Sequence, residues 1–332
     1  MRLSVIGSGS FGTSMAIVAA RAGHDVLLWA HDPNVADGIR RERRNPVYMP
    51  AIELDGRIAA THSLEEAAAF SDALLMVVPS HHYRRVLAEI APFVDKANVI
   101  SGTKGIENES LDTMSQVTAQ VLGEKLGAFA VLSGPTFALE AARGDPTVAV
   151  VASEDDDFAH AAQGMLSGGT FRLYRTNDVA GVELAGSLKN VIAIAAGVVE
   201  GLGLGSNTNA ALITRGLHEM TKLGIALGGR LETFAGLAGM GDLVLTCTGA
   251  LSRNRRVGVE LGRGKTLEQI LGETREVAEG VKTAKAAQAL AERHQIEMPI
   301  TTEMYRVLYE GESPRTGIQR LMTRSLKPEF AR

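Results

Sequence analysis

The sequence feature that most constrains the fold of this chain is a glycine-rich segment close to its start. Residues 3–6 (L-S-V-I) form a short β-branched run, residues 7–12 read G-S-G-S-F-G, and a helix-like run follows. In a strand–turn–helix unit of this kind, Gly7 permits the tight turn, Gly9 lets the backbone approach a phosphate, and Gly12 lets the helix pack against the strand. The helix N-terminus offers unpaired N–H groups to an anion. This order of elements favours a dinucleotide pyrophosphate site over a glycine turn without a ligand.

Strand-like runs alternate with helical segments over roughly the first half of the chain. The candidate strands are residues 3–6, 25–30, 57–61, 73–78, 98–101, 129–132, 147–151 and 171–174. Alternation of this kind implies crossover units and a mainly parallel sheet. From about Asp178 the strand-like runs vanish, and long Ala-, Leu- and Gly-rich helical patterns such as 182–199 and 210–227 take over. We therefore predict an α/β fold, with a Rossmann-type dinucleotide-binding domain over residues 1–180 and an all-α substrate-binding and catalytic domain over residues 181–332.

Composition narrows the classes of function. The 332 residues carry a net charge of −4, so no overall basic field draws the chain to nucleic acid. The single cysteine, Cys247, cannot form an internal disulfide, which fits a reducing, cytoplasmic location. No charge-free apolar run of about 18 residues is evident, so we expect no membrane span. The acidic run at residues 153–157 (S-E-D-D-D) suggests either a metal site or a helix cap, and we favour the cap and expect no metal.

Polar groups follow three of the predicted strands at their carboxyl ends. They lie at residues 79–80, 101–105 and 133–138. Ligands of open α/β sheets bind at this edge, so three such loops on successive strands predict a cleft there.

Lys189 stands in an otherwise apolar helical run, with Asn190 as its only close polar companion. A lysine in such a helix commonly extends its ammonium to water. Here small residues surround it, and a buried ammonium is costly unless it has partners or a lowered pKa. Lys189 is therefore a candidate for acid–base chemistry.

Two further loops carry polar groups that suit a ligand. Residues 239–242 (G-M-G-D) place the carboxylate of Asp242 in a glycine-rich turn, where a solvated carboxylate is the alternative. Residues 252–256 (S-R-N-R-R) combine a hydroxyl, an amide and guanidinium groups, a set that suits a phosphate. From composition alone, a solvated basic turn explains the second loop equally well.

Many ordered blocks of the sequence match one family. They include GSGSFGTSMA, NPVYMP, GTKGIE, LSGPTFALE, LKNVIAIAAG, NTNAALITRG, GLAGMGDLVLTCTG, SRNRRVG and VAEGVKTA. The chain resembles bacterial-type NAD(P)+-dependent glycerol-3-phosphate dehydrogenases nearly from end to end. The resemblance implies interconversion of dihydroxyacetone phosphate and sn-glycerol 3-phosphate with NADP(H) or NAD(H), supply of glycerol 3-phosphate for phospholipid synthesis, and a homodimer.

The same resemblance implies a set of site residues. The cofactor contacts would be Ser10, Phe11, His31, Lys104, Ala138, Arg253, Val277 and Glu279, beside the loop glycines. The substrate contacts would be Lys104, Gly134, Thr136, Lys189, Asp242, Ser252, Arg253 and Asn254. Lys189 would be the proton donor and acceptor. Two alternatives stay open: another two-domain dehydrogenase acting on a hydroxy acid or sugar acid, and a non-catalytic dinucleotide sensor.

The choice between NADP(H) and NAD(H) gives the first testable prediction. NAD enzymes usually place an acid at the end of the second strand, but this strand ends at Ala30, so His31 takes that place and Asp32 comes one later. Four arginines follow on a predicted helix: Arg40, Arg41, Arg43 and Arg44. Most of them would form a solvated helix face, and one of them with His31 would pair with a 2′-phosphate. We expect both cofactors to work, with a higher kcat/KM for NADPH. A clear preference for NADH would instead make Asp32 the ribose ligand.

Overall fold

The computed structural model describes residues 1–273, 277–326 and 328–329. Within these residues, eight strands form one sheet in the order β3-β2-β1-β4-β5-β6-β7-β8. The strands are β1 (Arg2–Ile6), β2 (Asp25–Trp29), β3 (Ile58–Thr61), β4 (Ala73–Met76), β5 (Ala97–Ser101), β6 (Leu126–Ser133), β7 (Thr147–Ala152) and β8 (Phe171–Thr176). All eight predicted strands are present. Neighbouring strands pair in parallel except for β6 and β7, which are antiparallel, so the mainly parallel sheet is confirmed.

Helices cover the sheet and make up the regular structure described after it. In the sheet region they are α1 (Ser10–Arg21), α2 (Pro33–Glu42), α3 (Leu64–Phe70), α4 (Ser80–Ile90), α5 (Met114–Leu122), α6 (Ala138–Arg143) and α7 (Asp156–Leu166). Beyond it are α8 (Val179–Gly201), α9 (Ser206–Ala226), α10 (Leu231–Ala235), α11 (Asp242–Thr248), α12 (Arg253–Gly262), α13 (Leu267–Glu273), α14 (Glu279–Arg293), α15 (Pro299–Tyr309) and α16 (Pro314–Met322). The predicted order of an α/β part and a helical part is confirmed. The division at residue 180 stays a prediction, and the end of its second part, residues 330–332, lies outside the described residues.

Side-chain caps fix where several helices begin. Asp155 accepts a hydrogen bond from the backbone N–H of Phe158 at 2.9 Å, so the acidic run at residues 153–157 caps α7. At the start of α3, Ser63 accepts from the N–H of Glu66 at 3.2 Å, which is one half of a capping box. In the other half of a capping box the Glu66 carboxylate would accept from the backbone N–H of Ser63. That contact is not formed, because the carboxylate accepts from the Thr61 hydroxyl instead.

The long helix α8 is the core of the helical part. Its apolar stretch is long enough to cross a membrane by length and composition, but the whole stretch is buried inside the protein. Four glycines bring α8 and α12 into backbone contact, because a Cβ on Gly197 would overlap the carbonyl oxygen of Arg255 and one on Gly258 would overlap that of Ile194. Gly201 and Gly262 repeat the pattern one turn later. Glycine at a four-residue spacing on both helices therefore sets the position of α12.

This contact predicts unequal effects of two glycine-to-alanine substitutions. Gly258→Ala should lower the free energy of unfolding by about 1–3 kcal/mol or more, because the new methyl group forces the two backbones apart. Gly164 lies exposed in α7 with open space around its Cβ position. Gly164→Ala should raise the free energy of unfolding by about 0.5–1 kcal/mol, the usual gain when alanine replaces a helical glycine. Denaturant unfolding measures both values, and equal effects would contradict the backbone contact.

Candidate active site

The glycine loop between β1 and α1 has the geometry expected of a dinucleotide cradle. Gly7 has a φ of 121°, and a Cβ there would lie 2.8 Å from the carbonyl oxygen of Val77. A Cβ on Gly12 would overlap the carbonyl oxygen of Gly7, so this glycine allows the close packing of α1. The Cβ position of Gly9 meets nothing within 4 Å. A pyrophosphate therefore fits above the start of α1, and these residues suit the proposed cofactor.

The other predicted cofactor residues lie along the same edge of the sheet. Ser10 and Phe11 open α1, and the Phe11 ring reaches the loop after β5, where its Cε1 lies 2.9 Å from the Cβ position of Gly102. Ala138 opens α6 after β6. His31 follows β2 and is exposed. These positions follow from the parallel strands, whose carboxyl ends meet at one edge.

Several charged side chains near His31 are already hydrogen-bonded within the protein. Asp32 caps α2, where its Oδ1 accepts from the backbone N–H of Asn34 at 2.9 Å. Three of the four predicted arginines donate to backbone carbonyls in the segment that follows α2, and they are Arg40, Arg43 and Arg44. Arg41 is exposed. This arrangement favours His31 and Arg41 over Asp32 at the ribose end of the site.

A buried carboxylate between two lysines forms the centre of the candidate active site. Asp242, only 1% exposed, accepts from Lys189 Nζ through Oδ1 at 2.6 Å and from Lys104 Nζ through Oδ2 at 2.6 Å. Lys189 also donates to the hydroxyl of Thr246 at 2.7 Å. Sequence reasoning missed Thr246, although it stands four residues after Asp242, on the same face of α11. The structure thus brings Lys104, Lys189 and Asp242 together from three separate elements.

Burial and neighbouring charges set the protonation of this cluster. Burial lowers the pKa of Lys189, the charge of Asp242 raises it, and the charge of Lys104 lowers it, with a net value of about 8. Burial alone would raise the pKa of Asp242, but Lys104 and Lys189 outweigh it and lower that pKa. Asp242 is therefore ionised at neutral pH, and Lys189 titrates where acid–base chemistry is useful.

The loop after β6 forms one wall of the cluster. The carbonyl oxygen of Gly134 accepts from Lys104 Nζ at 3.2 Å, and Gly134 has a φ of 139° that favours glycine. Thr136 follows, half-buried. The hydroxyl of Ser133 is buried and has no hydrogen-bond partner among the described residues. It lies against Gly186 of α8, where a Cβ would approach it to 2.7 Å. Only a small residue at Gly186 lets this loop lie so close to the helix that carries Lys189.

The proposed phosphate residues lie at the start of α12. Ser252 caps this helix by accepting from the N–H of Arg255 at 3.2 Å. Asn254 is buried, donates to Asn190 Oδ1 at 2.9 Å and accepts from the N–H of Gly280 at 2.9 Å. Asn254 therefore joins α8, α12 and α14, and one of its two amide hydrogens is committed to that contact. The guanidinium of Arg253 is on an exposed residue at the first position of the helix.

The last two predicted cofactor residues lie at the start of α14. Val277 is half-buried. Glu279 accepts hydrogen bonds from the N–H of Ser80 at 3.0 Å and from its hydroxyl at 2.6 Å. Ser80 opens α4 directly after the loop that follows β4, so Glu279 links the helical part to the same edge of the sheet. Glu279 therefore ties the start of α14 to the edge of the sheet that carries the glycine loop.

Comparison with known proteins gives the family. The family models described as NAD-dependent glycerol-3-phosphate dehydrogenase N-terminus and C-terminus match residues 2–159 and 178–319. The chain belongs to the NAD-dependent glycerol-3-phosphate dehydrogenase family. The resemblance read from the sequence blocks is confirmed, and the family's name for its cofactor agrees with the glycine cradle.

Several relatives of this family match over almost their full length. Glycerol-3-phosphate dehydrogenase (NAD(P)+) of Geobacter sulfurreducens is 53% identical over 330 residues, covering 99% of this chain and 98% of the relative. The enzyme of the same name from Syntrophotalea carbinolica is 50% identical and covers 99% and 100%. The crystal structure of glycerol-3-phosphate dehydrogenase from Coxiella burnetii has a TM-score of 0.93 at 39% identity and covers 97% and 99%. A ketopantoate reductase from Ralstonia eutropha, with a TM-score of 0.60 at 14% identity, shares the fold alone.

The cluster predicts how the pKa of Lys189 depends on its partner. Because the charge of Asp242 raises that pKa, Asp242→Asn should move it below the value of about 8. Carbon-13 NMR of labelled lysine side chains over a pH series measures it. Glu183→Gln is the matched control, since this buried acid lies on the same helix and bonds to Ser115 instead. A Lys189 pKa that is unchanged by Asp242→Asn would contradict the assigned electrostatics.

Proposed function

We propose that this chain is an NAD(P)+-dependent sn-glycerol-3-phosphate dehydrogenase that interconverts dihydroxyacetone phosphate and sn-glycerol 3-phosphate, with Lys189 as the proton donor and acceptor. The observation that carries the proposal is the buried Lys189–Asp242–Lys104 cluster at the sheet edge that also holds the glycine cradle. A dinucleotide sensor needs the cradle but has no use for this cluster. Membership of the family supports the same activity.

The chemistry divides between cofactor and protein. The dinucleotide, when bound, supplies or accepts the hydride at C2 of the substrate. In the reducing direction Lys189 donates its proton to the C2 oxygen, and in the oxidising direction it accepts the proton of the C2 hydroxyl. Asp242 holds Lys189 in place and keeps it charged until the proton moves. Lys104 holds the substrate and the dinucleotide in position and does not carry the proton.

The start of α12 is the proposed phosphate site. Arg253 supplies a guanidinium fork at the first position of a ten-residue helix, whose free N–H groups also favour an anion. Ser252 and Asn254 add neutral donors, although both also stabilise the helix start. A site that binds the phosphate through a charged fork discriminates against unphosphorylated hydroxy acids, which is the alternative substrate class.

The remaining parts of the proposal concern the choice of cofactor and the role in the cell. Both NADP(H) and NAD(H) act as cofactors, and NADP(H) is preferred because His31 contacts its 2′-phosphate. The product glycerol 3-phosphate supplies glycerophospholipid synthesis, and the enzyme works in the cytoplasm as a homodimer. The free, buried thiol of Cys247 is consistent with a reducing compartment. Oxidation of one NADPH for each dihydroxyacetone phosphate consumed tests the activity directly, and a hydroxy-acid or sugar-acid dehydrogenase would leave the NADPH unchanged.

The roles of the two lysines give a further prediction. Lys189→Met keeps the chain length and removes the proton carrier, so kcat should fall about 10²–10⁴-fold, the usual contribution of one acid–base group. Lys104→Met should mainly raise the KM for dihydroxyacetone phosphate and for NADPH. Because Lys189 must be protonated for reduction, kcat of the wild type should fall as the pH rises through about 8, and kcat of oxidation should rise. A larger loss of kcat in Lys104→Met than in Lys189→Met would reverse the two roles.

A further inference from the structure

Asn45 is a fully buried amide in the loop that follows α2, and it contacts the glycine loop. Its Nδ2 donates to the carbonyl oxygen of Ser8 at 2.8 Å and to the hydroxyl of Thr13 at 2.8 Å. The hydroxyl of Thr13 donates in turn to the same carbonyl at 3.1 Å. Three groups that are distant in sequence therefore form a closed set of hydrogen bonds around the Ser8 carbonyl.

The oxygen of the Asn45 amide is hydrogen-bonded as well. Asn45 Oδ1 accepts from the backbone N–H groups of Val47 at 3.2 Å and Tyr48 at 3.1 Å. An amide is the side chain that offers two donors on one atom and two acceptor sites on the other. A carboxylate in this place would set its negative oxygen against the Ser8 carbonyl. The contacts thus fix the orientation of the amide and explain why this position holds Asn.

The hydrogen bonds on Ser8 determine where the next N–H points. A trans peptide is planar, so the N–H of Gly9 points opposite to the carbonyl of Ser8. The carbonyl faces inward to Asn45 and Thr13, and the N–H therefore faces the open side of the loop. The Cβ position of Gly9 also meets nothing within 4 Å, so the space around this residue is open.

We infer that Asn45 is a positioning residue of the dinucleotide site: together with Thr13 it holds the Ser8–Gly9 peptide so that the Gly9 N–H donates to the pyrophosphate. This inference rests on the proposed use of a dinucleotide. Without Asn45, the Ser8 carbonyl keeps only the hydrogen bond from Thr13. The peptide then rotates its carbonyl toward the anion more easily, which replaces an attraction with a repulsion.

The test compares Asn45→Ala with Ser4→Ala. Ser4 is also fully buried and donates from its hydroxyl to the Ala67 carbonyl at 2.6 Å, but it does not touch the glycine loop. Both substitutions therefore remove a buried hydrogen bond, and both should lower the melting temperature. We expect Asn45→Ala to raise the Kd of NADPH about 10- to 100-fold, the equivalent of one charge-assisted hydrogen bond. Ser4→Ala should leave that Kd unchanged.

A fragment of the cofactor separates this role from a general loss of structure. Adenosine 2′-monophosphate lacks the pyrophosphate, so its inhibition constant against NADPH should be the same in Asn45→Ala and wild type. The KM for dihydroxyacetone phosphate and kcat at saturating NADPH should also stay within about twofold, since neither depends on Gly9. Equal losses of affinity for the fragment and for NADPH would overturn the inference.

Thr13→Val provides an independent variant of similar shape. It removes the hydroxyl that bridges Asn45 and Ser8. It should therefore weaken the binding of NADPH in the same way and leave the binding of adenosine 2′-monophosphate unchanged. Because the two residues act in one network, the double variant should lose less affinity than the sum of the single losses. Strict additivity, or normal NADPH binding by Thr13→Val when Asn45→Ala fails to fold, would count against the inference. A wild type that binds no NADPH would instead contradict the proposed function.

Discussion

The arrangement of one buried carboxylate between two ammonium groups is the constraint on which the rest of the site depends. Charges removed from water are costly unless each has partners, and Asp242 is the partner of both Lys104 and Lys189. The three residues come from the loop after β5, from the middle of α8 and from the start of α11. Pairing them ties the sheet to the helical part at one point. The cluster carries one excess positive charge, which favours an anionic substrate and the negative charge that develops on its oxygen.

The three charged residues can meet because glycines on α8 let neighbouring segments of backbone pack closely against this helix. Gly186 lets the loop after β6 lie against α8, one turn before Lys189, and so brings Gly134 within reach of Lys104. Farther along α8, Gly197 and Gly201 admit the backbone of α12, which begins with the proposed phosphate residues. Small residues on one long buried helix thus determine the distance between Lys189 and the proposed phosphate residues. The apolar character of α8 follows from the same packing, since almost every side chain on it is enclosed.

Sequence reasoning found the parts whose signal is local. All eight strands were predicted, because buried β-branched runs between turn residues are readable in the sequence alone, and Lys189 stood out as a charge in an apolar helix. The antiparallel pairing of β6 with β7 was not predicted, because strand direction within a sheet depends on the whole topology. Asn45 was missed for a similar reason: its partners lie 32 and 37 residues away. At Ser63 only half of a capping box forms, because the Thr61 hydroxyl competes for the Glu66 carboxylate.

The value of about 8 for the pKa of Lys189 is a balance that neither neighbour produces alone. Burial and the charge of Lys104 both favour the neutral amine, so without Asp242 the pKa of Lys189 would lie below about 8. Without the charge of Lys104, the pKa of Lys189 would be higher. By taking the second hydrogen bond of Asp242, Lys104 divides the carboxylate between two cations and weakens its hold on each. The proposed reaction runs in both directions and therefore needs a proton carrier whose pKa lies near the working pH, and sharing Asp242 between Lys104 and Lys189 is consistent with that need.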